Sequence, residues 1–179
     1  MKTNKPIHSS FWSNIFKTPD HESSIIKSLL NVPLFYNLDK KDLYSLAQIV
    51  HKRNYVQGEY IFMQGDPGLG IYIIRKGEVM IKRKITDDYN IDLASFVEGD
   101  FFGELALIDG EKRSGSAIAV MDCEVSVIFK SDLDNYIELR PKMGIKILQS
   151  LSQIIAARLR KLNEENFEYQ LKSKNYPED

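Results

Sequence analysis

The chain has 179 residues, 43% of them hydrophobic and 27% charged, with 24 basic residues against 25 acidic ones and a net charge of -1. That length suits one domain with flanking helices, and a nearly neutral, well-mixed charge excludes an electrostatic grip on nucleic acid or on an anionic membrane. Cys123 is the single cysteine, so no intrachain disulfide can form and a reducing, cytoplasmic setting is expected. Its apolar, alternating neighbourhood argues against a reactive thiol. The opening MKTNKPIHSS lacks the apolar core of an export signal, and no apolar run approaches the ~18 residues of a spanning helix. Neither export nor membrane insertion is expected.

Phe11, Trp12, Ile15 and Phe16 recur at helical spacing, which predicts a short amphipathic helix; with so few cations it is expected to pack on this protein's own body rather than on a membrane surface or a partner. After the break at Thr18 and Pro19, Asp20 is placed to cap a helix with Ile25, Ile26, Leu29 and Leu30 on one face, ended by Asn31 and Pro33. Asp39 then caps a third, carrying Leu43, Leu46, Ala47 and Val50, which His51 closes as a C-terminal cap rather than a metal ligand.

From Arg53 the texture changes to short strands cut by glycine, predicted over 60–63, 71–75, 78–84, 91–96, 116–120 and 123–130. Many short strands with close turns indicate a barrel or sandwich. Lys76-Gly77 reads as a hairpin turn between two of them and 86–90 as the next turn. The segment 65–70 is glycine-rich but lacks the order of a phosphate-binding fingerprint, so it reads as a strand connection. In the last strand Cys123, Val125, Val127 and Phe129 face one way, and Glu124, Ser126 and Lys130 the other. Ser131 with Asp134 resembles a capping box for a helix that ends before Arg140. Pro141 starts a longer one, to about Glu168, with a seam of Leu148, Leu151, Ile155 and Leu162 that Arg158 interrupts.

One stretch carries chemistry. Residues 101–116 read FFGELALIDGEKRSGS, with the carboxylate Glu104 and the guanidinium Arg113 on either side of a short apolar turn and a polar loop. Arginine offers a permanently charged fork to phosphate oxygens, and Ser114, Gly115 and Ser116 let backbone N–H groups approach the same anion. An ionised glutamate only accepts, so it suits a hydroxyl on the same ligand. Phosphate and hydroxyl together suggest a sugar phosphate.

The order of elements and the FGELALIDGEKRSGS cassette resemble the cyclic nucleotide-binding domain of the catabolite activator and cyclic-nucleotide-dependent kinase superfamily, over roughly residues 32–165. The resemblance implies a mainly β fold with flanking α: an eight-stranded β-roll, jelly-roll-like, with N-terminal helices and two C-terminal helices. It divides the chain into a helical extension 1–31, the nucleotide-binding roll with its helices 32–140, a lid or dimer helix 141–170 and a polar tail 171–179. It also implies site roles. Glu104 takes the ribose 2′-hydroxyl and Arg113 the cyclic phosphate. Gly103, Leu105 and Ala106 bring backbone groups to the sugar phosphate, and Ser114 and Gly115 close the other side. Ile81 and Leu93 lie against the purine, and Leu162 and Asn163 cap it from the long helix. A hydroxyl directly after the arginine, here Ser114, is found in bacterial cAMP-binding members, whereas a threonine there goes with cGMP preference in kinase members, so the resemblance leans to cAMP. Gly115 stands where the family usually has alanine, which loosens the loop by about 0.5–1 kcal/mol.

What this implies for function is a non-enzymatic cAMP sensor, with cGMP as the other candidate, whose long helix moves and is read by an unidentified effector protein. A homodimer through residues 141–168 is expected. The residues after Glu165 are too few and insufficiently basic for a helix-turn-helix, so DNA binding is expected only if the chain is a fragment of a cyclic-nucleotide-responsive transcription factor. A metal enzyme on a similar roll needs clustered ligands on strands, whereas His8, His21 and His51 all precede them. A degenerate fold that binds no nucleotide and acts as an interaction scaffold is the alternative from a different class.

Overall fold

A computed structural model describes residues 19–86 and 89–174; the amphipathic helix expected around Phe11 and Phe16 lies outside them. Helix α1 (Pro19–Leu30) buries Ile25, Ile26 and Leu29. Leu30, expected on that face, is exposed, and Asp20 sits inside the helix rather than capping it. A 3-10 turn, Pro33–Phe35, then drives Leu34 and Phe35 into the core. Helix α2 (Lys40–Ala47) has the predicted cap, the Asp39 carboxylate accepting the Asp42 amide at 2.8 Å.

Helix α2 stops three residues short of Val50, because Val50 and His51 already belong to strand β1 (Val50–Tyr55). His51 is therefore no helix cap: it pairs with Val127 across the sheet, and its Nε2 lies 2.9 Å from Asp132 Oδ2. Seven more strands follow: β2 (Tyr60–Phe62), β3 (Gly70–Lys76), β4 (Glu78–Lys84), β5 (Asn90–Val97), β6 (Phe101–Phe102), β7 (Ser116–Ala119) and β8 (Cys123–Phe129). They form two antiparallel four-stranded sheets, ordered β1-β8-β3-β6 and β2-β7-β4-β5. Strands β3 and β4 thus lie in different sheets, and Lys76-Gly77 is a crossover, not a hairpin. Gly77 makes it at φ +100, pressed so close that a Cβ would stand 2.6 Å from Cys123 Sγ. The turn before β5 does join hairpin partners, since β4 pairs with β5.

Alternation along the strands separates two cores. Tyr72, Ile74, Phe102, Val125 and Val127 fill the space between the sheets. Ile71, Ile73, Phe101 and Ile128 point the other way, under the helices. Strand β3 is thereby covered on both faces, which accounts for its continuous apolar run. The same geometry buries Ser126 and Ile128 on the face of β8 expected to be polar.

Strand β8 runs directly into helix α4 (Lys130–Leu139), so Phe129 is the N-cap and Ser131 lies inside the first turn. Arg140 breaks the helix ahead of Pro141, where φ −138 and ψ 66 turn the chain into helix α5 (Pro141–Lys174). Met143, Ile147, Ser150 and Leu151 bury one stripe of α5 on the helical core, and Asn37 Nδ2 donates to Ser150 Oγ at 3.0 Å. Leu148 and Leu162, placed on the predicted seam beside Leu151, are both exposed.

Candidate functional site

A cavity of about 330 Å³ opens where β6, the short helix α3 (Leu105–Ile108), the segment 109–115 and strands β4 and β5 meet. That is the lower end of the range for small-molecule sites, ~300–1,000 Å³. Gly103, Glu104, Leu105, Arg113, Ser114, Gly115 and Ile81 all line it, together with Phe62, Ala94, Phe96, Phe102 and Arg158.

Arg113 is built in from several directions. Its side chain is only 6% exposed; Nη1 donates to Gly103 O at 2.9 Å and Nη2 to Gly70 O at 2.7 Å. The guanidinium lies over the rings of Phe62, 4.2 Å from centroid, and Tyr72, at 5.5 Å, a favourable cation–π arrangement. Its Nε is buried without a hydrogen-bond partner, and among the described residues no carboxylate forms an ion pair with it. Burial pulls its pKa down, against the attraction of Tyr72, Glu104 and Asp66. A desolvated cation without a direct counter-charge is costly unless an anion joins it.

The backbone around Arg113 is strapped to the loop after β2. Gly65 N donates to Arg113 O and Arg113 N to Asp66 O, each at 2.9 Å, and Gln64 N donates to Ser116 Oγ at 2.9 Å. The glycine-rich loop read as a strand connection therefore also clamps the cassette. Gly103, at φ +79, turns β6 toward Glu104, and a Cβ there would stand 2.8 Å from Arg113 Nη1.

Glu104, 4% exposed, is paired with Arg158 of α5 through its Oε1. Arg158 Nη2 also donates to Phe101 O at 3.3 Å, and its guanidinium faces the rings of Phe101 and Phe96 at 5.1 and 5.8 Å. Arg158 is the charged site residue that the sequence reading missed, as it missed Phe62, Ala94, Phe96 and Phe102 on the cavity wall. The signal was there: a lone cation interrupts the apolar stripe of α5, and such a charge is tolerated against a core when it has a partner.

Three expected site residues fall elsewhere. Leu93 is exposed, because alternation on β5 turns its neighbours Ala94 and Phe96 to the cavity instead. Leu162 and Asn163 are exposed on α5, beyond Arg158, and do not line the cavity. Among the described residues no helix is long and apolar enough to cross a membrane, and no cluster of three or more His, Cys, Asp or Glu could hold a metal.

The family model for the cyclic nucleotide-binding domain matches residues 52–140. The cyclic AMP receptor protein of Thermus thermophilus is 34% identical over 128 residues, which cover 72% of this chain and 57% of that protein. Isozyme 1 of the cGMP-dependent protein kinase of Drosophila melanogaster is 34% identical over 97 residues, covering 53% of this chain and 13% of the kinase. In structure, the chain superposes on the Thermus thermophilus catabolite activator protein with a TM-score of 0.66 at 33% identity, covering 79% of this chain and 63% of that one. The chain therefore spans less than two thirds of these relatives.

Proposed function

Residues 52–140 are a cyclic nucleotide-binding domain, and from that premise we propose that the protein is a non-catalytic cyclic-nucleotide sensor, with cAMP as its ligand in preference to cGMP. The observation that carries this reading is Arg113: a buried guanidinium at the cavity wall, fixed by two carbonyls and two rings, with Nε unpartnered. A cyclic phosphate supplies the missing counter-charge. Glu104 then accepts the ribose 2′-hydroxyl, and the backbones of Gly103, Leu105 and Ala106 line the sugar phosphate, with Ser114 and Gly115 opposite. Ile81, Ala94 and Phe96 offer the base an apolar and aromatic wall. The name of the Thermus relative points to cyclic AMP and that of the Drosophila relative to cGMP; Ser114, rather than threonine, tips the assignment to cAMP.

The signal leaves through α5. A ligand can move a helix only if it binds one helix position better than another, and capping of the base by Leu162 and Asn163 provides that difference. An effector protein then reads the new position of α5.

Calorimetry with cAMP on Arg113→Leu tests the site. Losing the charge-assisted contact to the phosphate is expected to cost ~2–5 kcal/mol of binding, and unchanged affinity overturns the assignment. Arg113 also ties two carbonyls, so the fold of the variant is checked by circular dichroism. A thermal-shift series with cAMP, cGMP and a cyclic dinucleotide ranks ligands; no shift at large excess of any of them favours the scaffold reading.

A further inference from the structure

We infer that Arg158 is an internal latch: it holds the carboxylate that a ribose hydroxyl would use, and so couples occupation of the site to release of the distal half of α5. The inference rests on the sensor reading for its ligand, but its geometry stands alone. Glu104 is almost fully buried, with a side chain 5% exposed, while the Arg158 side chain is 39% exposed and arrives from solvent to meet it. A buried carboxylate requires a donor, and among the described residues the side chain that supplies it is Arg158.

The position of Arg158 along α5 makes this contact mechanical. The stripe Ile147, Leu151, Ile154 continues the helix against the core, and Arg158 is its next step. Every residue described from Leu159 to Ser173 is exposed. Among the described residues, the bonds from Arg158 to Glu104 and to Phe101 O are thus the last that tie α5 to the body. A ribose hydroxyl directed at Glu104 competes for the same oxygens, and when Arg158 gives way, α5 beyond Ile155 loses its present anchor and is free to bring Leu162 and Asn163 over the base.

The test uses the full chain with Arg158→Gln and, as a charge-retaining control, Arg158→Lys. Without nucleotide, R158Q is expected to raise amide hydrogen exchange several-fold over 155–165 and leave 143–151 protected, with R158K in between. Unchanged exchange in that segment overturns the latch. In cAMP calorimetry R158Q is expected to bind about tenfold tighter than the wild type, within the ordinary range of coupling between sites. Equal or weaker binding overturns the competition and makes Arg158 a ligand contact instead. If neither protein binds cAMP, the sensor reading fails while the exchange measurement still decides whether Arg158 anchors α5.

Discussion

At Gly115 the immediate surroundings decide what the cassette tolerates. The family resemblance favours alanine there, and from sequence the glycine looks like a loosening of the phosphate loop. In the fold, a Cβ on Gly115 would stand 2.8 Å from Lys82 O and 3.1 Å from Ile81 Cγ2, because β4 passes directly behind the loop. Glycine is what lets the loop and the strand approach. Gly115→Ala is therefore expected to destabilise the protein by about 1–3 kcal/mol, the usual cost of overpacking, as a lower midpoint in urea unfolding. Gly103→Ala combines a disfavoured φ of +79 with a methyl 2.8 Å from Arg113 Nη1. It should weaken cAMP binding more than tenfold in calorimetry, by displacing the guanidinium, and a wild-type affinity in Gly103→Ala would show that Arg113 does not need its present seat.

Among the elements, the joint between α4 and α5 sets where the long helix points. Gly144 lies in the first turns of α5, and a Cβ on it would stand 2.5 Å from Ile137 Cγ2 on α4. In an isolated helix Gly→Ala stabilises by about 1 kcal/mol; here the contact reverses the sign. Gly144→Ala is expected to lower stability by roughly 1–2 kcal/mol, and Ile137→Ala in the same chain to relieve part of that loss. A more stable single variant would mean that the two helices are not in contact at this point. The elements differ in how far sequence reveals them. Strands β4 and β5 have strand composition between clear turns, and α2 carries its own cap, so local pattern sufficed to place them, though not to orient Leu93. Strand β1 reads HKRN after its valine and looks like the tail of a helix; only its pairing with β8 makes it a strand. Lys76-Gly77 has the chemistry of a hairpin, but local chemistry cannot tell a hairpin from a crossover between sheets. Glu104 and Arg113, close in sequence, were legible as a site. Arg158 was legible only as a break in the apolar stripe; its role was not, because its partner lies 54 residues away and only the fold joins them.

On the scale of the whole molecule, α5 leaves an apolar face that the described residues do not cover. Ile145, Leu148, Leu159, Leu162 and Tyr169 are exposed and Ile155 is partly so. With Ser152 and Asn166 these residues alternate at spacings of three and four, the period of a two-stranded coiled coil. Ile145, Ser152, Leu159 and Asn166 take one seam position; Leu148, Ile155, Leu162 and Tyr169 take the other. This face keeps Leu148, Ile155 and Leu162 of the predicted seam and drops Leu151, which is buried in the monomer. An asparagine at such a position costs stability but fixes register, which suits a helix that must also be able to shift. We propose that two copies of α5 pair along this face. Sedimentation equilibrium should find a dimer whose dissociation is favoured more than a hundredfold by Leu148→Glu with Leu159→Glu, since burying two carboxylates per chain costs several kcal/mol. Neither residue touches the cavity, so cAMP affinity per site should change less than the dimer constant does. A wild-type chain that sediments as a monomer at high concentration would leave the face to a different protein, and the effector would then be sought as a helix that fits it.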